Sequence, residues 1–276
     1  MKAATIATTI LLLAGAVALA QQPVHTPAAT QPGRGRLIIR ELVSSQHYDH
    51  DPKGLDREAD DVILTTDLAY GLTGDLVFML RANYLIRKQN AQNGPDIESD
   101  DFSDLHVMLK RRVWQEDTSP TDTRRLGLAL GLDLPTGSAP FGSDSWDPMV
   151  GMIYTEVEGR WGFNTAWRWK FNTGGRANPL RAGDTTADLM MVDLSWLYRL
   201  SPKHFTDEEA GAWYAMLEVN DLYETNGDTE LFLAPGIMYE AHGWAMEASV
   251  QLPIFQKLDY RPETEFTLTV GMRLLF

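Results

Sequence analysis

Between Trp161 and Phe171, the residues Trp161, Phe163, Trp167, Trp169 and Phe171 fall on one parity and Asn164, Arg168 and Lys170 on the other. Successive side chains of a strand point to opposite faces, so the segment predicts a strand with one apolar and one cationic face. Two cations facing a soluble core would be costly to desolvate. The pattern returns in Leu126, Leu128, Leu130, Leu132 and Leu134 against Arg125, Gly127, Ala129, Gly131 and Asp133. It returns again in Leu76, Phe78, Leu80, Ala82, Tyr84 and Ile86 against Arg81, Asn83 and Arg87, and in Met190, Val192, Leu194, Trp196 and Tyr198 against Asp193, Ser195 and Arg199. The final stretch sets Phe266, Leu268, Val270, Met272, Leu274 and Phe276 against Glu265, Thr267, Thr269, Gly271 and Arg273.

Strands of about ten residues, greasy on one side and wet on the other, are the unit of a transmembrane β-barrel, whose residues face lipid and lumen alternately. Twelve such candidates run over 36–47, 60–70, 75–87, 102–114, 124–134, 148–158, 161–172, 186–200, 211–222, 229–239, 243–252 and 264–276. The first, with Leu37, Ile38 and Ile39 in a row, alternates least. The fold expected is all-β, a transmembrane antiparallel barrel of about 12 strands in meander order.

Connection lengths test this independently, because outer-membrane barrels have short periplasmic turns and longer outside loops. After even strands come Gly71 to Gly74, Gly159-Arg160 and Ala241-His242, which read as tight turns. After odd strands come His47 to Ala59, Lys88 to Asp101, Pro135 to Asp147, Asn172 to Thr185 and Pro253 to Glu263, all longer. The even-side connections Asp117 to Thr123 and Ser201 to Ala210 exceed the rule. Tyr70, Trp161, Tyr198, Trp213, Tyr239, Trp244 and Phe276 all fall near the inside ends on the outward parity. Aromatic rings sit favourably where hydrocarbon meets headgroups, so the set reads as an interfacial girdle.

At the other end, Met1 and Lys2 precede an apolar stretch, Ala3 to Val17, and Ala18-Leu19-Ala20 offers a small-x-small cleavage site before Gln21-Gln22. Residues 1–20 are thus expected to be a signal peptide, 21–34 a flexible periplasmic tail, and 35–276 the barrel. No other apolar run is long enough for a membrane helix, which needs about 20 residues. Hydrophobic residues make up 44% of the chain, and mean hydropathy is -0.24, too polar for a helical membrane protein. Cysteine is absent, which excludes a disulfide framework, a lipidated N-terminal cysteine and thiol chemistry. A net charge of -14 argues against nucleic acid as a partner.

Twelve strands about 4.8 Å apart and tilted about 40° close at a backbone diameter of roughly 24 Å, leaving about 10 Å between side chains. The candidate pore-lining residues are Arg81, Asp104, His106, Lys110, Arg112, Asp133, Arg168, Lys170, Asp193, Glu218, Glu247 and Arg273, with Asp67, Arg125, Arg199 and Glu230 on the same inward parity. Such charges either pair across a nearly closed lumen or, through Lys110, Arg112, Arg168 and Lys170, form a basic stretch that attracts small anions.

Two other classes compete. Barrel lipid hydrolases use Ser and His, but His25, His47, His50, His106, His204 and His242 lack the HxSNG arrangement expected of an outer-membrane phospholipase. A surface or metal-binding role would draw on His47, Asp49, His50 and Asp51, or on Glu98, Asp100 and Asp101; acidic solvated loops are the commoner explanation of both runs. Neither run matches a defined metal cage. No catalytic set, cofactor or metal is therefore assigned.

The segments Leu126 to Gly137 (LGLALGLDLPTG), Asp147 to Thr155 (DPMVGMIYT) and Leu231 to Pro253 (LFLAPGIMYEAHGWAMEASVQLP) resemble the outer-membrane "MetA-pathway of phenol degradation" family of Gram-negative bacteria. The likeness covers most of the mature chain and implies a transporter, without naming a substrate or a functional residue. The end of the chain also resembles the C-terminal signal of outer-membrane proteins, with Phe276 as its terminal aromatic. The reading is a monomeric, non-enzymatic outer-membrane channel for small, aromatic or otherwise hydrophobic solutes. Its partners would be membrane lipid and lipopolysaccharide, the barrel-assembly machinery through the last strand, and the solute itself.

Overall fold

The computed structural model describes residues 22–54, 57–90, 96–119, 122–174, 181–204 and 211–276. The expected signal peptide lies outside the described residues. The strands are β1 (Leu37–Asp49), β2 (Ala59–Gly71), β3 (Leu76–Gln89), β4 (Ile97–Phe102), β5 (Leu105–Asp117), β6 (Thr123–Leu134) and β7 (Asp147–Glu158). They continue with β8 (Trp161–Lys170), β9 (Leu189–Ser201), β10 (Gly211–Glu224), β11 (Thr229–Ala241), β12 (Trp244–Lys257) and β13 (Glu263–Leu275). Neighbours pair antiparallel in meander order, and β1 pairs with both β2 and β13, so the sheet closes on itself. At the seam, the Leu37 N–H donates to the Phe276 carbonyl at 3.1 Å and the Phe276 N–H to the Leu37 carbonyl at 2.8 Å.

One expected strand is two. The lower half of β3 pairs with β5, Leu76 to Arg81 against Arg111 to His106. Its upper half pairs with β4, Tyr84 to Gln89 against Phe102 to Ile97. Strands β4 and β5 therefore share one of twelve wall positions, broken at Ser103 and Asp104. The cause is the Asp104 carboxylate, which accepts the Gly137 N–H at 2.8 Å, the Ser143 N–H at 2.7 Å and the Ser143 hydroxyl at 2.6 Å. These bonds draw the connection after β6 inward, and Phe141 from it is buried beside Ile63 and Leu85. The acidic run Glu98, Asp100 and Asp101, expected as loop, is wall instead.

Alternation places the residues as expected. Leu130 (64%), Trp161 (59%) and Met246 (55%) stand exposed on the outer face, whereas Asp193 (2%), Glu218 (0%) and Arg273 (2%) are buried within. A bilayer accepts the first set and an aqueous or paired interior the second. Five of the seven aromatics expected as a girdle touch one another, with Trp161–Tyr198 centroids at 4.5 Å, Trp213–Tyr239 at 4.9 Å and Tyr239–Trp244 at 5.3 Å. Above Gln251 the backbones of β12 and β13 part, and the Gln256 side-chain amide fills the ladder by donating to the Thr264 carbonyl and accepting the Thr264 N–H.

The segment expected to hang loose below the barrel lies inside it. Val24, Ala28 and Ala29 are 5%, 2% and 0% exposed. Its small and apolar residues fit against Leu197, Met216 and Met238 on one side and Ala129, Ile153 and Ala166 on the other. Entry is through a tight turn in which Gly35 takes φ 74°, a region open to glycine at little cost. Gly71 opposite is needed too, since a Cβ there would lie 2.0 Å from the Gly33 carbonyl oxygen.

Candidate functional site

The walls that hold the tail are built from inward positions of five strands. From β10, Glu218 accepts the backbone N–H groups of Val24 at 2.9 Å, His25 at 3.0 Å and Thr26 at 2.7 Å. From β5, the Lys110 ammonium donates to the carbonyls of Ala28 and Thr30, both at 2.7 Å. From β7, the Thr155 hydroxyl accepts the Ala29 N–H at 2.8 Å and donates to Asn164 at 2.6 Å. Arg40 of β1 donates to the carbonyls of Pro23 and Val24, and Arg273 of β13 to that of Gln22. Both arginines are paired with Glu247, at 2.5 Å and 2.7 Å. Each of these contacts with the tail goes to its backbone, so the ions that would be costly to bury alone are satisfied by the tail and by one another.

Among the described residues, two cavities lie against and above the tail. The outer, about 210 Å³, is lined by Asp104, Asp133, Asp147 and Asp184, by Arg81, Arg168, Lys170 and Arg181, and by Phe141 and Met191. The inner, about 90 Å³, is lined by His25, Met79, Met108 and Ile153 with Arg40 and Asp67. They share Arg81, His106, Met149 and Arg168. Those side chains lie flat because the wall beneath is bare: a Cβ on Gly131 would stand 2.8 Å from the His106 ring, and one on Gly151 would stand 3.1 Å from Arg168 Cγ.

The charges around this junction are paired. Arg81 grips Asp67 with two bonds at 2.6 and 2.8 Å. Arg168 donates through one Nη2 to Asp193 at 2.6 Å, and Asp133 takes both His106 at 2.5 Å and Lys170 at 3.0 Å. Lys110, Arg112, Arg168 and Lys170 thus do not form one cationic wall. Lys110 holds the tail, Arg112 donates to the Gly74 carbonyl at the turn between β2 and β3, and the other two are matched by carboxylates. Of the expected set, Lys110, Asp193, Glu218, Glu247 and Arg273 are buried, Arg81, Asp104, His106, Asp133, Arg168 and Lys170 line the outer cavity, and Arg112 reaches the turn after β2.

At the outer mouth, Arg261 bridges Glu224 at 2.9 Å and Glu230 at 2.6 Å. Glu224 also accepts the Gly183 N–H and the Thr185 hydroxyl, which folds that loop back over the bore. In the first outer loop, Asp51 is occupied by Arg57 at 2.6 Å. Among the described residues, no group of three His, Asp or Glu could hold a metal. His106 sits inside with Asp133, and His47 pairs with Asp60 at 2.6 Å.

Sequence reasoning missed the tail's grip, Arg40, Thr155, Phe141 and Arg181. Burial and the neighbouring Arg40 push the His25 imidazole down to about 4, so it is neutral near neutral pH. Only the compactness of PVHTPAAT, small and uncharged apart from that histidine, hinted at a buried tail.

A closed antiparallel barrel, oily outside and ionised within, is the architecture of outer-membrane β-barrel proteins. The sequence profile of the family described as "Putative MetA-pathway of phenol degradation" matches residues 65–252, more than half of the chain. The chain belongs to that family. No curated protein sequence matches the chain. Among solved structures, the COG4313 outer membrane channel from Pseudomonas putida F1 superposes with a TM-score of 0.57 at 11% identity, over 90% of this chain and 97% of that one. LpxR from Salmonella typhimurium gives 0.48 at 11% identity, over 88% of this chain and 100% of its own. The translocator domain of autotransporter NalP from Neisseria meningitidis gives 0.46 at 12% identity, over 90% and 91%. At these identities the first likeness speaks for the fold alone, and the other two carry no weight.

Proposed function

We propose that the protein is an outer-membrane channel that admits small solutes with an aromatic or otherwise apolar body, and that it reaches that membrane after loss of residues 1–20. The observation that carries this reading is the pair of adjacent cavities against and above the tail, part charged and part methionine-lined. Pockets that fix small ligands combine an apolar lining with a few placed polar groups. The first structural likeness, to an outer membrane channel, is compatible with this. A lipid hydrolase is disfavoured because His106 and Asp133 face the bore, away from acyl chains. Lipid and lipopolysaccharide would contact the aromatic band, and assembly would proceed through the strand that leads to Phe276.

The tail is the barrier on this reading. Planar-bilayer recordings should find the processed chain nearly closed, and a variant lacking residues 22–31 open to ions, with small aromatic solutes reducing that current as they occupy the bore. A deletion variant that folds yet stays closed, or whose current aromatic solutes leave unchanged, would count against the proposal.

A further inference from the structure

Two ions of the lower bore are hydrogen-bonded to the tail alone. Among the described residues, the Glu218 carboxylate accepts only from the N–H groups of Val24, His25 and Thr26, and the Lys110 ammonium donates only to the carbonyls of Ala28 and Thr30. The other groups that hold the tail have wall partners as well, since Arg40 and Arg273 pair with Glu247 and the Thr155 hydroxyl donates to Asn164. Glu218 is 0% and Lys110 5% exposed. A carboxylate and an ammonium buried outside any ion pair are costly unless polar groups meet them. Peptide N–H and C=O groups do so here, so the wall is complementary to a peptide backbone. We propose that the lower bore is a binding site for short, uncharged peptides with small side chains, occupied in this structure by the chain's own tail. The site adjoins the cavities that carry the channel reading and does not rest on that reading.

Backbone groups are common to every peptide, so these contacts select an amide chain and not a sequence. Packing selects the side chains. Ala29 lies against Ala129, Ile153 and Ala166, and Val24 against Leu197, Met216 and Met238. Larger side chains at either place would overpack the wall, and a charged one would be buried without a partner. Length follows from the two ions. Glu218 meets Val24 at one end and Lys110 reaches Thr30 at the other, so a ligand that satisfies both must match the stretch from 24 to 30. A shorter fragment would leave one of them stranded.

The test uses the processed full chain with Val24→Pro and Thr26→Pro, which removes two of the N–H groups that meet Glu218 and loosens the tail without altering the wall. In lipid nanodiscs at about pH 8, where free histidine is neutral, this chain is titrated calorimetrically with end-capped peptides. One copies residues 23–31, one is that copy with esters replacing the amides of Val24, His25 and Thr26, and one is an unrelated neutral peptide of equal length built from alanine, serine and proline. The copy and the unrelated peptide should bind within about tenfold of each other, and the ester analogue at least about tenfold more weakly than the copy, the factor of one hydrogen bond to an ion. A lysine or glutamate at the centre of the unrelated peptide should abolish its binding.

An ester analogue that binds as well as the copy would mean that the backbone is not read, and an unrelated peptide that does not bind would leave a cradle for one sequence; either result overturns the proposal. So does failure of every peptide to bind a chain whose heat-modifiable mobility shows it folded. The wild-type chain gives a second reading that needs no substitution. With the unrelated peptide in several-fold excess over the roughly millimolar effective concentration of a tethered segment, hydrogen exchange at the amides of Val24, His25 and Thr26 should quicken, and unchanged exchange counts against the site. Neither readout depends on conductance, so a bore that never conducts sinks the channel reading alone, and absent peptide binding sinks this site alone.

Discussion

The two halves of the lumen are built by different means. Below, a segment distant in sequence is held by its backbone, with Glu218, Lys110, Thr155, Arg40 and Arg273 reaching amide and carbonyl groups. Above, side chains meet side chains, as in Arg261 with Glu224 and Glu230 or Arg87 with Asp61 at 2.6 Å, and the loops are drawn in by Asp104 and Glu224. The lower closure can leave the wall standing when it departs, because the tail is no part of the sheet. The upper framework cannot depart, because its ions stand on the strands and on the loops that join them. A segment outside the sheet and a framework within it are thus held by similar charges.

Deleting residues 22–31 should break the comparison most sharply, turning a nearly closed channel into a conducting one, while folding, read by heat-modifiable mobility on gels, persists. Unchanged conductance would mean that the upper half is the barrier. Next in size is Arg261→Met, which strands two buried carboxylates. Losing one partner of a buried ion pair costs about 3–5 kcal/mol, so thermal melting should fall markedly with no opening of the tail. Protease cleavage of the tail in that variant would contradict the separation of the two halves.

Glu218→Gln should act only below. It keeps an acceptor but loses the charge that three N–H groups share, a change of about 1–3 kcal/mol. The tail should become cleavable and the conductance should rise several-fold at unchanged melting temperature. The smallest effect concerns pH. His25 is held at about 4 when docked against 6.5 when free, so below pH 6.5 the released tail binds a proton that the docked tail takes up only near 4. Docking should therefore weaken as pH falls from 6.5, by up to about 1.4 kcal/mol per unit. Conductance should rise accordingly in acid, and a His25→Phe variant that kept the same pH slope would assign it to other groups.

How much of this was legible beforehand differs by region. The wall was legible, strand by strand, since Trp161 or Leu130 outward and Asp193 or Glu218 inward follow from parity alone. The break at Ser103 and Asp104 was not, because its cause is a carboxylate reaching 39 positions along to Ser143. The inward charges were legible as inward, but their partners were not. Arg168 next to Lys170 read as a basic stretch until Asp193 and Asp133, on other strands, were placed against them.

By itself, then, the order of residues determined a two-faced sheet and the medium each face must meet, because alternation is a local property of the extended chain. Only the closed tertiary structure decided what fills the bore. Val24 meets Glu218 across a separation of 194 residues, and no local preference encodes such a contact. It arises when the barrel closes and a buried carboxylate must find donors, which the tail's unpaired amides supply.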